Sequence, residues 1–208
     1  MKGSLIVVAF FALGCILGWS EMLPSVIIEN DITVYVLYLL MFQVGLSIGS
    51  DKKLKEILTS IRPKLLLVPL ATIVGTLVAS AIVGLFISRW SVTDCLAVGS
   101  GFAYYSLSSI LITELKASSL GVQMAAELGT IALMANIIRE IIALLGAPLF
   151  VKYFGRLSPI CAGGATTMDT TLPIITRYSG KDLVFVSIFH GIIVDFTVPF
   201  FVSFFCSF

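Results

Sequence analysis

Polar residues interrupt an otherwise apolar chain at three places, and each could hold a cation or move a proton. The first is Asn136-Ile137-Ile138-Arg139-Glu140. Asn136 and Glu140 are four residues apart and share one helix face, whereas Arg139 and Glu140 diverge by about 100°. An ionised group inside a bilayer is costly and faces protein or water. Glu140, with the Asn136 amide on its own face, therefore reads as a functional acid. Arg139 reads equally well as a binding residue or as a structural ion-pair partner. The second place is Thr166-Thr167-Met168-Asp169-Thr170-Thr171-Leu172-Pro173, preceded by Gly163-Gly164. A carboxylate among the hydroxyls of Thr166, Thr167 and Thr170, between a glycine pair and a proline, suits a cation or proton site. Carbonyls freed by a break there could add ligands for an ammonium group. Asp169 could instead cap the start of a half-helix. The third place runs from Ser100 to Ser109. Ser100, Tyr105, Ser106 and Ser109 could contact the carboxylate or amine of a solute, or could simply allow close helix packing. His190, the only histidine, and Asp195 form a weaker candidate proton relay. Five residues apart, they are no obvious pair on a helix.

The elements that must position these groups are membrane helices. Of 208 residues, 58% are hydrophobic and 12% charged, and the mean hydropathy is +1.08. Soluble domains carry about 25% charged residues, so lipid must cover much of this chain. Apolar runs approach the ~20 residues needed to cross a bilayer as helix, and spans are expected at Ser4–Trp19, Ile32–Gly49 and Leu65–Ile87. A short helix at Ser118–Gly129 should precede a span at Thr130–Val151, and a last span should cover Leu183–Phe205. Between them, Thr93–Thr113 and Pro159–Thr176 are rich in Gly, Ser and Thr and are expected to be broken, re-entrant segments lining a cavity. The fold class expected is all-α integral membrane, with about five spanning helices, two re-entrant segments and an inverted-repeat transporter core. It would form a single domain, with three spans in residues 1–90 and the core in 91–208.

Charge sets the orientation. The link after the second span carries Lys52, Lys53, Lys55, Arg62 and Lys64, whereas the first link carries Glu21, Glu29 and Asp31 and no cation. By the positive-inside rule the N-terminus is then inside and the C-terminus outside. Lys2 and the apolar run after it resemble a signal peptide, but Ile16, Leu17 and Trp19 prolong the run past Cys15, which favours a retained helix. Asp94, Glu114 and Glu127 read as solvated interfacial residues. Cys15, Cys95, Cys161 and Cys206 are scattered and read as packing residues, with no metal site. No nucleophile–base order, nucleotide loop or dinucleotide glycine pattern is present, so neither an enzyme nor an ATP-driven pump is expected. A net charge of +1 gives no reason to expect nucleic acid.

From Gly99 to the C-terminus the sequence closely resembles the lysine exporter LysO family. The resemblance rests on Gly99-Ser100-Gly101-Phe102, Tyr105-Ser106-Leu107-Ser108, Arg139-Glu140, Gly164-Ala165-Thr166-Thr167-Met168-Asp169, Thr171-Leu172-Pro173 and His190-Gly191. It implies a multi-pass protein of the bacterial inner membrane that exports L-lysine in exchange for protons. No cofactor is implied, and sodium stays open as the coupling ion. The family's two essential intramembrane carboxylates correspond to Glu140 and Asp169. Full-length members begin with further membrane segments, so the resemblance also implies a separate small membrane subunit as partner, besides lipid and lysine. A homo-oligomer is compatible with it. A passive facilitator and a non-transporting subunit are the rival readings.

Overall fold

The computed structural model describes residues 63–208 throughout and, before them, only the helical positions Leu13, Ile16, Leu17, Tyr35, Leu39, Phe42 and Leu46. By its contacts the chain divides into Met1–Leu39 and Leu40–Phe208. All that follows concerns the second unit.

After a 3-10 turn at Pro63–Leu66, helix α1 spans Leu67–Phe86. Its one proline, Pro69, lies in the first turn, where no helical hydrogen bond is lost. Leu70, Val74, Val78 and Ile82 recur every four residues as an exposed apolar stripe, a surface fit for lipid rather than water. Helix α2, Val92–Gly99, begins with a capping box: Ser91 accepts from the Asp94 amide, and the Asp94 carboxylate accepts from the Ser91 amide. A break at Ser100–Tyr104 separates it from α3, Tyr105–Leu120. Helix α4 spans Val122–Phe154, its 33 residues extending about 50 Å. After α5, Ser158–Gly163, and a 3-10 stretch at Gly164–Met168 comes α6, Leu172–Ser179. Helix α7, Val184–Cys206, is the central one: Gly191, Val194, Asp195, Val198 and Val202 are all buried along it.

The expected architecture needs correction. Among the described residues three helices, not five, are long and apolar enough to cross a bilayer: Leu67–Phe86, Val122–Phe154 and Lys181–Cys206. Of the expected spans at Ser4–Trp19 and Ile32–Gly49 only those seven helical positions are described, and the rest of each lies outside the described residues. Two helix–break–helix hairpins, covering the segments around Thr93–Thr113 and Pro159–Thr176, pack among three long helices rather than five. The division at Gly129 is also overturned. Gly129 lies inside α4 with its Cα against α3, where an added Cβ would come within 2.8 Å of the Ser109 carbonyl oxygen. The chain instead turns at Gly121, whose φ of 83° suits glycine.

Ion pairs define the two ends of the assembly. At one end Arg89, just past α1, meets Glu127 near the start of α4. There too, Asp94 in the first turn of α2 meets Lys116 near the end of α3 at 2.7 Å, so the α2–α3 hairpin returns to the end from which it sets out. At the other end Arg156, just past α4, reaches both the Ser179 carbonyl and Asp182, so the α5–α6 hairpin returns there. The two hairpins thus enter from opposite ends, and their tips meet: the Ala165 amide donates to the Phe102 carbonyl at 2.8 Å.

Candidate functional site

The first break is held in a conformation that side chains rarely adopt. Phe102 and Ala103 have φ of 45° and 74°, in the left-handed region that costs about 1 kcal/mol or more per non-glycine residue. Asn136 of α4 fixes it. Its side-chain oxygen accepts from the Ala103 amide at 2.7 Å, and its amide donates to the Ala132 carbonyl at 2.8 Å. The oxygen therefore holds the break, while the amide, anchored on its own helix, also lies 3.4 Å from the Val98 carbonyl and from the Ser108 hydroxyl on either side of it. Ser100 is fully buried and donates to the Leu96 carbonyl. Tyr105 and Ser106 are half-buried in the first turn of α3, and Ser109 follows one turn later.

The second break rests on Gly164, whose φ is 61° and whose Cα lies so close to the first break that an added Cβ would stand 2.2 Å from the Phe102 carbonyl oxygen. Arg139 braces this side. It donates to the Ala162 and Cys161 carbonyls at 2.9 and 3.1 Å and to the Thr76 hydroxyl at 3.2 Å, with Phe102 in cation–π range. A cation at carbonyls left open by the last turn of α5 offsets their partial negative charge. The Gly163 carbonyl accepts from Thr166. Thr167 is fully buried, its hydroxyl placed among the Gly164 and Ser187 carbonyls and His190 Nδ1. His190 is fully buried too, and its Nε2 lies 2.8 Å from the Thr72 hydroxyl of α1. Both imidazole nitrogens thus meet hydroxyls, in a joint linking α1, the second tip and α7.

The acids converge beside these tips. Glu140 is buried, interacts with the Thr170 side chain and feels the charge of Asp169. Asp169 and Thr170 are exposed, whereas an acid in this segment was expected to lie away from the surface. Asp169 accepts from the Thr170 amide and hydroxyl through one oxygen, Oδ1, and α6 begins only at Leu172 with Thr171 before it. Its bonds therefore tighten the break rather than cap the half-helix. Asp195, buried on α7, feels the charge of Asp169. Tyr104, which the sequence did not single out, lies near both: burial, then the charges of Asp195 and Asp169, push its phenol up to about 12. It stays a neutral donor and acceptor at any physiological pH. The structure thus groups Glu140, Asp169, Thr170 and Asp195 with Tyr104, and gives Asn136, Arg139, Thr166, Thr167 and His190 to the scaffold around them. A cavity of 540 Å³ between α1, α2 and α4 is lined by Thr76, Ser80, Asn136 and Arg139 among apolar side chains, and neither Glu140 nor Asp169 lines it. Among the described residues no cluster of His, Cys, Asp and Glu could hold a metal ion.

Asp94 corrects a further expectation. It is not solvated; it is 3% exposed and paired with the equally buried Lys116. Burial works to raise its carboxyl, but Lys116 and the Ser91 donors hold it below its ordinary 3.8. The signal legible beforehand was the Ser91-x-x-Asp94 capping box; nothing in the chain marks Lys116 as the partner.

The model of the family described as lysine exporter LysO matches residues 8–206. The chain belongs to that family. Lysine exporter LysO of Escherichia coli strain K12 is 33% identical over 179 residues, which cover 86% of this chain and 56% of that protein. A Haemophilus influenzae protein described as a candidate lysine exporter is 32% identical over 199 residues, 94% of each chain. The chain therefore spans little more than half the length of its LysO relative from E. coli and nearly all of the one from H. influenzae. No solved structure matches. Membership in the LysO family, with three membrane-length helices, supports a role in transport across a membrane.

Proposed function

We propose that this chain exports L-lysine across the bacterial inner membrane in exchange for protons, with its N-terminus inside and its C-terminus outside. The observation that carries the reading is the convergence of Glu140 and Asp169, with Thr170 between them, beside the meeting point of two hairpins that enter from opposite ends. A positively charged guest can leave water for such a place because two acids receive it. Asp169 stands exposed and meets an ammonium group first; the buried Glu140 draws it inward. Protons bind the same carboxylates, so cargo and proton compete for one charge. This competition couples the two fluxes without a cofactor. Arg139 and Asn136 keep both breaks in shape, and Tyr105 and Ser106 flank the guest from the first hairpin. Lysine comes to the reading from the family and from the two relatives' names; two acids by themselves suit any cargo that carries an ammonium group. A small membrane subunit supplying the remainder of the longer relative's length is the partner proposed.

The test is counterflow of labelled lysine in liposomes, with and without that subunit. Glu140→Gln and Asp169→Asn should each abolish exchange while the protein still inserts and purifies as wild type does. Wild-type exchange by either variant would remove the basis of the mechanism. Export that persists unchanged after the proton gradient is collapsed would assign a passive facilitator instead.

A further inference from the structure

Asp195 is 4% exposed, and among the described residues its carboxyl has no hydrogen bond or ion pair from another side chain or the main chain. The other interior acids differ. Asp94 has Lys116 and Ser91, and Glu140 has Thr170. A charged carboxyl buried without donor or cation is costly, so a cationic guest arriving there would supply the partner that the protein does not.

Its place on α7 indicates which guest. Gly191 is four residues earlier on the same face, and packs so closely on the second hairpin that an added Cβ would come 2.7 Å from the Met168 amide nitrogen. Six residues after Asp195, the Phe201 ring meets Phe102 of the first hairpin, centroids 6.2 Å apart. Asp195 therefore lies between the points where the two tips dock on α7. The Tyr104 phenol shares this region, since the charge of Asp195 reaches it. Asp195 and Asp169 sense each other's charge, but the acids do not gather closely enough to hold a single metal ion. That arrangement suits two separate cations better than one.

We propose that Asp195 and Tyr104 form a second subsite, which takes the side-chain ammonium of a diamino cargo whose α-ammonium sits at Glu140 and Asp169. The inference rests on the exporter reading and deepens it. A five-carbon run separates the two nitrogens of L-lysine, so both can be neutralised only by acids set apart. Asp195 accepts from the ammonium, and the Tyr104 oxygen adds a neutral acceptor.

The test is binding by the purified full chain in lipid nanodiscs, titrated with L-lysine and with norleucine, which has the same carbon chain but no terminal ammonium. Wild type should prefer lysine by about tenfold or more, the worth of one charged hydrogen bond. Asp195→Asn should bring lysine down to the norleucine level and leave norleucine binding unchanged. Tyr104→Phe, which keeps the ring, should reduce the same preference by a smaller factor and stands in if the Asn variant fails to fold. A preserved preference in both variants, or equal loss of both ligands, overturns the subsite. A wild type that fails to prefer lysine sinks the exporter reading itself, an outcome separable from the first two.

Discussion

The two hairpins look alike in outline and differ in how they are held. The first, α2–α3, is locked from inside. Its legs are joined by the buried Asp94–Lys116 pair, and its break puts two non-glycine residues at positive φ under the grip of Asn136. The second, α5–α6, bends at Gly164, is closed at its base by an exposed Arg156–Asp182 pair with side chains 53% and 65% accessible, and carries the exposed Asp169 and Thr170. A strained, internally bonded element is a frame. The second hairpin is also tied inward, through Arg139, Thr167 and Ser187, but past Met168 its acid stands at the surface, where it can adjust around a guest. The comparison assigns rigidity to the first hairpin and adaptability to the Asp169–Thr170 part of the second, although both looked equally loose by composition.

Three substitutions probe that contrast. Lys116→Met should have the largest effect, because it leaves a carboxylate buried without its cation. Loss of about 3–5 kcal/mol is expected, read as a fall in the thermal midpoint in detergent. Adding Asp94→Asn should recover much of it. The pH response follows from the same pair. With its folded carboxyl held below 3.8, the pair contributes fully above that value, and its contribution is lost as pH falls through the lower folded value. The double variant should lack this acid limb. If Lys116→Met unfolds like wild type, the first hairpin is not locked by its charges.

Gly164→Ala comes next. It forces a side chain into the left-handed region and toward the Phe102 carbonyl, at about 2–3 kcal/mol. Protease cutting should rise within Gly163–Thr171 while α2 keeps its protection; equal loosening of both hairpins would erase the distinction. Smallest is Arg156→Ala, where an exposed pair contributes about 1 kcal/mol or less. Its thermal midpoint should stay near wild type, and a large drop would show that the second hairpin is as firmly closed as the first.

Much of this layout was legible because breaks are written locally. Gly99-Ser100-Gly101 and Gly163-Gly164 each mark a place where helix propensity fails, and the cations at Arg156, Arg177 and Lys181 mark one end of the bundle. What was not legible depends on partners distant in sequence. Asp94 looked like an interfacial acid because its neighbours in the chain are polar; only the return of α3 brings Lys116 to it. Gly129 looked like a helix stop, yet a glycine pressed against a neighbouring helix and a glycine ending one are the same letter. Asn136 and Glu140 were joined by their shared helix face, but the structure divides their duties, the amide bonded to the first break and the acid turned toward Thr170. Tyr104 was passed over beside Tyr105 because a pattern of residue types does not show that the charges of Asp169 and Asp195 reach it.

One bond has a consequence for how this region could evolve. The contact from the Ala165 amide to the Phe102 carbonyl is made by main chain on both sides, so exchanges of ordinary side chains at positions 102 and 165 leave donor and acceptor in place. A proline at position 165 would remove the donor, and a side chain at position 164 would crowd the acceptor. Residues around the guest are thus free to drift toward other solutes while the linkage that makes one tip follow the other is inherited intact.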